Sequence, residues 1–201
     1  MSISVTYDAA IFANYTVDEY LAEWATGFAT AGHGTSNTGG FNNGGFNGSQ
    51  YATHGANGSD YAFIAGSDTA NGLHYVFNPA LPASSNQNHY LYGSLDNVSL
   101  GYDLSGGNGS NFALGNDVVT FSGLDLDSVL GAGRTGNEVH QVIYGLMQGN
   151  TSALEGVLDS LLASYSVSTD NTFAEITAAL NAASATAVGV QAQVDDLALA
   201  A

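Results

Sequence analysis

Cysteine is absent from the 201 residues, and basic residues are almost absent: Arg134 stands alone against 18 acidic side chains, for a formal net charge of −17. The first absence excludes disulfides, thiolate-held metals and Fe–S clusters. The second excludes nucleic acid as a partner, since phosphate binding needs Lys and Arg to displace counterions. It equally excludes attraction to an anionic membrane surface. High like charge favours a soluble monomer. No apolar run approaches the roughly 18 residues of a membrane-spanning helix. The start, MSISVTYDAA, has neither a cationic n-region nor an apolar h-region, so it does not read as a secretory signal peptide and on its own points to the cytoplasm. Proline is scarce: both copies fall in one loop, NPALPASSNQN at 78–88.

Glycine, by contrast, is plentiful. The 26 copies exceed the usual share of about 7% and imply many turns. Apolar residues at 45% suffice for the core of a single domain. Ile3, Val5 and Tyr7 alternate with polar residues over 2–7, which predicts a half-buried strand. Thr16 and Glu19 have capping-box spacing, and Val17, Tyr20, Leu21, Trp24 and Phe28 then follow a helical period, predicting a helix over 16–30. Residues 31–50 hold seven glycines and four asparagines with no apolar period. They read as a long loop whose one ionisable residue is His33.

From Gln50 to Leu126 the texture is β, with strands at Tyr61–Ala65, Leu73–Phe77, His89–Leu104 and Val118–Leu126. The last third turns helical. Asn137 can cap a helix carrying Val139, Val142, Ile143, Leu146 and Met147. Ser152 with Glu155, and Thr172 with Glu175, repeat the capping-box spacing before two further helices. Residues 181–201 are Ala-rich and end DDLALAA, a tail. Strands and helices are segregated along the chain, which predicts an α+β fold with a mostly antiparallel sheet.

Chemistry-bearing residues are few. The histidines are His33, His54, His74, His89 and His140, and no HExxH, GxSxG or P-loop pattern occurs. Gly106–Phe112 (GGNGSNF) resembles a calcium-binding nonapeptide, but only once and with Asn111 in the acidic position. The residues alone leave three readings open: a ligand carrier using His33, Tyr75 and His89 beside the two loops, a secreted calcium-binding or adhesive protein, and a secreted hydrolase with a carboxylate site.

Ten strings in register resolve the choice. MSISVTY, SNTGGF (36–41), GSQYA (48–52), AFIAG (62–66), LHYVF (73–77), HYLYGSLD (89–96), VHQVIYGLM (139–147) and the closing NTF, TAVGVQ and LALAA resemble the HasA-type haemophores of Gram-negative bacteria, along nearly the whole chain. The resemblance implies a curved antiparallel sheet on one face, helices on the other, and ferric haem b held by two loops at the edge. It implies His33 and Tyr75 as axial iron ligands and His89 as the hydrogen-bond partner of Tyr75. His74, next to Tyr75 on a strand, should point to the opposite face, and His140 has a surface or packing role. The first loop is several residues shorter than in the best-known members, the second several longer. The resemblance further implies a haem-binding domain at 1–180 and a tail at 181–201 read by a type I ABC exporter, which reverses the cytoplasmic reading. It implies a TonB-dependent outer-membrane receptor as recipient, a haem source such as host haemoglobin, and no enzymatic activity.

Overall fold

The computed structural model describes residues 2–28, 39–56, 58–70, 72–115 and 119–184. Its spine is a long strand, Tyr90–Tyr102, which carries most of the antiparallel sheet. In chain order the elements are β1 (Ser4–Thr6), α1 (Ala9–Phe12), α2 (Val17–Phe28), β2 (Gly39–Phe41), β3 (Asn47–Gly48), β4 (Gln50–His54), β5 (Tyr61–Gly66), β6 (Leu73–Val76), β7 (Tyr90–Tyr102), β8 (Ser105–Gly107), β9 (Ser110–Ala113), β10 (Val119–Ser128), α3 (Glu138–Met147), α4 (Ser152–Leu162) with a 3-10 turn to Tyr165, and α5 (173–184). The sheet runs β1-β10-β7-β5-β4-β2, with β6 pairing β7 and β3. The expected α+β class is what forms.

One edge of β7 serves two partners end to end. Its first residues pair with β6, from Val76 opposite Tyr90 to Leu73 opposite Gly93. Its last pair with β5, from Gly66 opposite Asn97 to Tyr61 opposite Tyr102. The handover is at Gly93, whose φ is 113° and where an added Cβ would run into the Gly72 carbonyl oxygen. Only glycine tolerates both conditions. The other edge pairs with β10, whose register shifts between Ser122 and Leu126, bending the sheet.

The helices cover one face. Val17, Tyr20, Leu21, Trp24 and Phe28 of α2 are buried, with Trp24 stacked on Phe28 at 4.8 Å and its indole N–H donating to the Ala62 carbonyl at 3.3 Å. Each such side chain contributes about 1.5–3 kcal/mol by leaving water. Two of the three predicted capping boxes form. Thr16 N–H donates to Glu19 Oε2 and Glu19 N–H to Thr16 Oγ1, and Thr172 and Glu175 repeat the pair. The two boxes abut: Thr16 bridges Thr172, Val17 N–H donates to the Asn171 carbonyl and Phe173 N–H to that of Tyr15. Helices α2 and α5 are thereby tied at their N-termini.

Several expectations change. The box read at Ser152 does not form: Thr151 takes the N-cap position without a side-chain cap bond, and its Oγ1 donates instead to Glu155 Oε1 at 2.6 Å. The loop read over 31–50 contains β2 and β3. These are strands of Gly and Asn held by main-chain pairing, Gly39–Phe41 against Thr53–Tyr51 and Asn47–Gly48 against His74–Leu73, without side-chain alternation to announce them. The β8–β9 hairpin and the short α1 were also not foreseen. Helix α5 runs one turn past residue 180. Residues 29–38, with His33, and 185–201 lie outside the described residues.

Candidate functional site

A cleft of about 900 Å³ opens beside the β6–β7 pair. That volume suits a large organic ligand. The pleat decides which side chains reach it. Tyr75 sits directly opposite Leu91, and both line the cleft. His74 sits opposite Tyr92 on the other face, where the two rings stack at 4.8 Å and 12°. His74 is therefore a packing residue on the side away from Tyr75.

The two loops converge on Tyr75. Its N–H donates to the Phe46 carbonyl at 2.8 Å, and the Phe46 ring lies 5.9 Å from its own. Its hydroxyl lies 2.5 Å from His89 Nδ1. His89 adopts φ 54°, a left-handed backbone that turns its ring back over the strand end. Beside it, Asn88 is fully buried and knots the second loop. Its Oδ1 accepts from the N–H groups of Asn78 and His89, and its Nδ2 donates to the carbonyls of Leu81 and Pro82. Phe77, half-exposed, packs on the outer side of His89 at 5.1 Å.

Burial raises the pKa of the Tyr75 phenol above its ordinary value of about 10, while the Arg134 charge pulls it down. The free protein therefore holds a neutral phenol, hydrogen-bonded to Nδ1 of His89. Burial, reinforced by Tyr75, raises the Tyr51 phenol further, so Tyr51 stays protonated, its hydroxyl 3.4 Å from Met147 Sδ. Of these two phenols, Tyr75 is the one with an imidazole placed to take its proton.

The far wall comes from α3. Asn137 Oδ1 caps this helix by accepting from His140 N–H, and Asn137 Nδ2 donates to the carbonyls of Leu91 at 2.8 Å and Gly133 at 2.7 Å. His140 is not on the surface. It is 4% exposed, its Nδ1 accepts the Leu91 N–H at 3.3 Å and its ring stacks on Tyr144 at 5.2 Å. His140, Tyr144 and Met147 all line the cleft.

GGNGSNF, read as a possible cation loop, builds the β8–β9 hairpin and closes the remaining side. Asn111 Oδ1 accepts from Asn42 Nδ2, Gly109 N–H donates to the Asn42 carbonyl, and Phe112 exchanges two hydrogen bonds with the Gln50 side chain. Asn111 thus serves packing. Among the described residues no group of three or more His, Cys, Asp or Glu could hold a metal ion.

Of the expected site residues, Tyr75 and His89 are brought together; His33 lies outside the described residues. Sequence reasoning missed His140, Tyr51 and Arg134 as cleft residues. The signal for His140 was its place on the apolar face of the α3 pattern, one turn before Tyr144. That for Arg134 was its singularity.

Comparison with known proteins agrees with this architecture. The chain is 40% identical over 196 residues to the Hemophore HasA of Serratia marcescens, covering 95% of each. It superposes on a holo hemophore HasA from Yersinia pestis with a TM-score of 0.68 at 26% identity, covering 87% of this chain and 95% of that one. An apo HasA from the same organism gives 0.67 at 26% identity, covering 86% and 94%. The model of the family Heme-binding protein A (HasA) matches residues 1–201, and the chain belongs to that family.

Proposed function

We propose that this protein is an extracellular haemophore that captures ferric haem and delivers it to an outer-membrane receptor for iron acquisition. It is a carrier, not an enzyme, as its membership of the haem-binding family implies. The observation that carries the reading is the Tyr75–His89 pair, a phenol 2.5 Å from an imidazole at the mouth of an aromatic cleft.

Tyr75 is the proposed iron ligand. Ferric iron is a hard acid that favours an anionic oxygen, and tyrosinate is an established haem ligand type. His89 accepts the phenol's proton as the bond forms, orienting and charging the ligand from behind. His33, carried by the first loop, is proposed as the second axial ligand. Release is the reverse: the ring, having passed a proton to solvent from Nε2 on binding, regains one there when the pH falls, returns its Nδ1 proton to the phenolate, and the iron–oxygen bond weakens; a receptor that disturbs His89 has the same effect. Receipt by a TonB-dependent receptor, uptake from a source such as haemoglobin, and export by a type I ABC system reading the tail at 181–201 complete the proposal, and they rest on the family resemblance.

The reading is tested by adding haemin to the purified protein and to His89→Ala, then following release from pH 8 to pH 5. A one-to-one complex with a strong Soret band is expected. Release from the parent should accelerate on acidification, and His89→Ala should release faster at neutral pH with a flatter profile. No Soret change would end the haem reading, and identical profiles would end the role of His89.

A further inference from the structure

We propose that Arg134 forms a carboxylate-binding subsite of the cleft that takes a propionate of the porphyrin. This rests on the haem reading and adds to it a recognition element for the acidic edge of the ligand. A guanidinium among 18 acidic residues would ordinarily be paired with one of them. Arg134 makes no ion pair among the described residues. Instead its Nη2 donates to the second-loop carbonyls of Ala83 at 3.1 Å and Ser85 at 2.5 Å, which fixes the head on the cleft wall. Its backbone is fixed as well, the N–H donating to the carbonyl and Oδ1 of Asn86.

Nε and Nη1 have no partner among the described residues. The head is thus a positioned, half-buried cation with donors to spare, facing the same cleft as Tyr75. An iron porphyrin gripped at that phenol brings two carboxylates into a protein whose net charge of −17 repels them. Arg134 is the one side chain able to offset that repulsion, through a fork whose geometry matches a carboxylate.

A purely structural reading would make Arg134 only a staple for the second loop. The two differ in ligand discrimination. Ferric protoporphyrin IX and its dimethyl ester, delivered from the same solvent, are compared for rate of loss to an excess of an acceptor protein. The parent is expected to lose the ester about tenfold faster than the acid, the size of one charge-assisted hydrogen bond. Loss of the acid should accelerate with salt while loss of the ester does not. Arg134→Gln should bring the two rates together, even if a loosened loop raises both, and Arg134→Lys should restore part of the gap. Equal rates in the parent, or a tenfold gap that survives in Arg134→Gln, would overturn the subsite while leaving haem binding intact. Failure of both porphyrins to bind would instead remove the haem reading beneath it.

Discussion

At an exposed helix N-cap, Asn and Asp are interchangeable; at Asn137 they should not be. The side chain is 2% exposed and does three jobs. Its Oδ1 accepts from His140 N–H, and its amide nitrogen donates to the carbonyls of Leu91 and Gly133. Asp keeps the cap, worth about 1 kcal/mol, but turns a buried carboxylate oxygen toward two carbonyl oxygens. An uncompensated buried charge costs about 3–5 kcal/mol. Asn137→Ala loses the cap and leaves two acceptors short of a donor, about 2–3 kcal/mol in all. At 2–4 °C per kcal/mol for a chain of this size, Asp should melt about 10 °C below the parent at pH 7 and below Ala.

Acidification distinguishes the two. Burial raises the folded-state pKa of the new carboxyl above its unfolded value, so its penalty is present above that pKa and shrinks as pH falls. The Asp deficit should therefore narrow between pH 7 and pH 5 while the Ala deficit stays fixed. Melting followed by circular dichroism at both pH values is the assay. An Asp variant as stable as the parent at pH 7 would refute the assignment of the amide nitrogen to the two carbonyls, and with it the anchoring of α3 to β7.

Two further outcomes follow from the fold. Gly93→Ala should destabilise by at least about 3 kcal/mol, since a positive φ and a carbonyl in the space of the new Cβ act together; the check is a shifted denaturant midpoint with weakened haem retention, because β6 docks there. The Glu175 carboxyl is held below its ordinary pKa by the Thr172 N–H, then by Asn171 and the Thr172 side chain. A depressed folded pKa gives stability present above the unfolded value and lost as pH falls through the folded one, so Glu175→Gln, which keeps the capping acceptor, should flatten the acid limb of the melting-temperature profile in that range.

How far the residues disclosed the molecule depended on whether the information was local. Capping boxes at Thr16 and Thr172 were legible because hydroxyl, carboxylate and backbone lie within four residues of one another. The long β7 was legible from its run of aromatic and branched residues, and the opposed directions of His74 and Tyr75 followed from the pleat. Strands β2 and β3 were not legible: their Gly and Asn residues pair through the main chain with partners whose identity the local sequence does not hold. The residues left His140 between a surface and a packing role, because its burial depends on β7, 49 residues earlier, offering an N–H to its ring. Tyr75 and His89 were identified as a pair through family resemblance; spacing alone left them suggestive, since their contact exists only because Asn88 knots the loop between them.

The central claim is the bond between Tyr75 and ferric iron, and the most direct measurement is the absorption and EPR spectrum of the haem complex of Tyr75→Phe beside that of the parent. Phe keeps the ring and its packing against Phe46 while removing one oxygen. The parent should show a phenolate-to-iron charge-transfer band and slow haem loss; the variant should lose the band, change spin state and release haem at least about tenfold faster. Spectra and release rates that match in the two proteins would contradict the account.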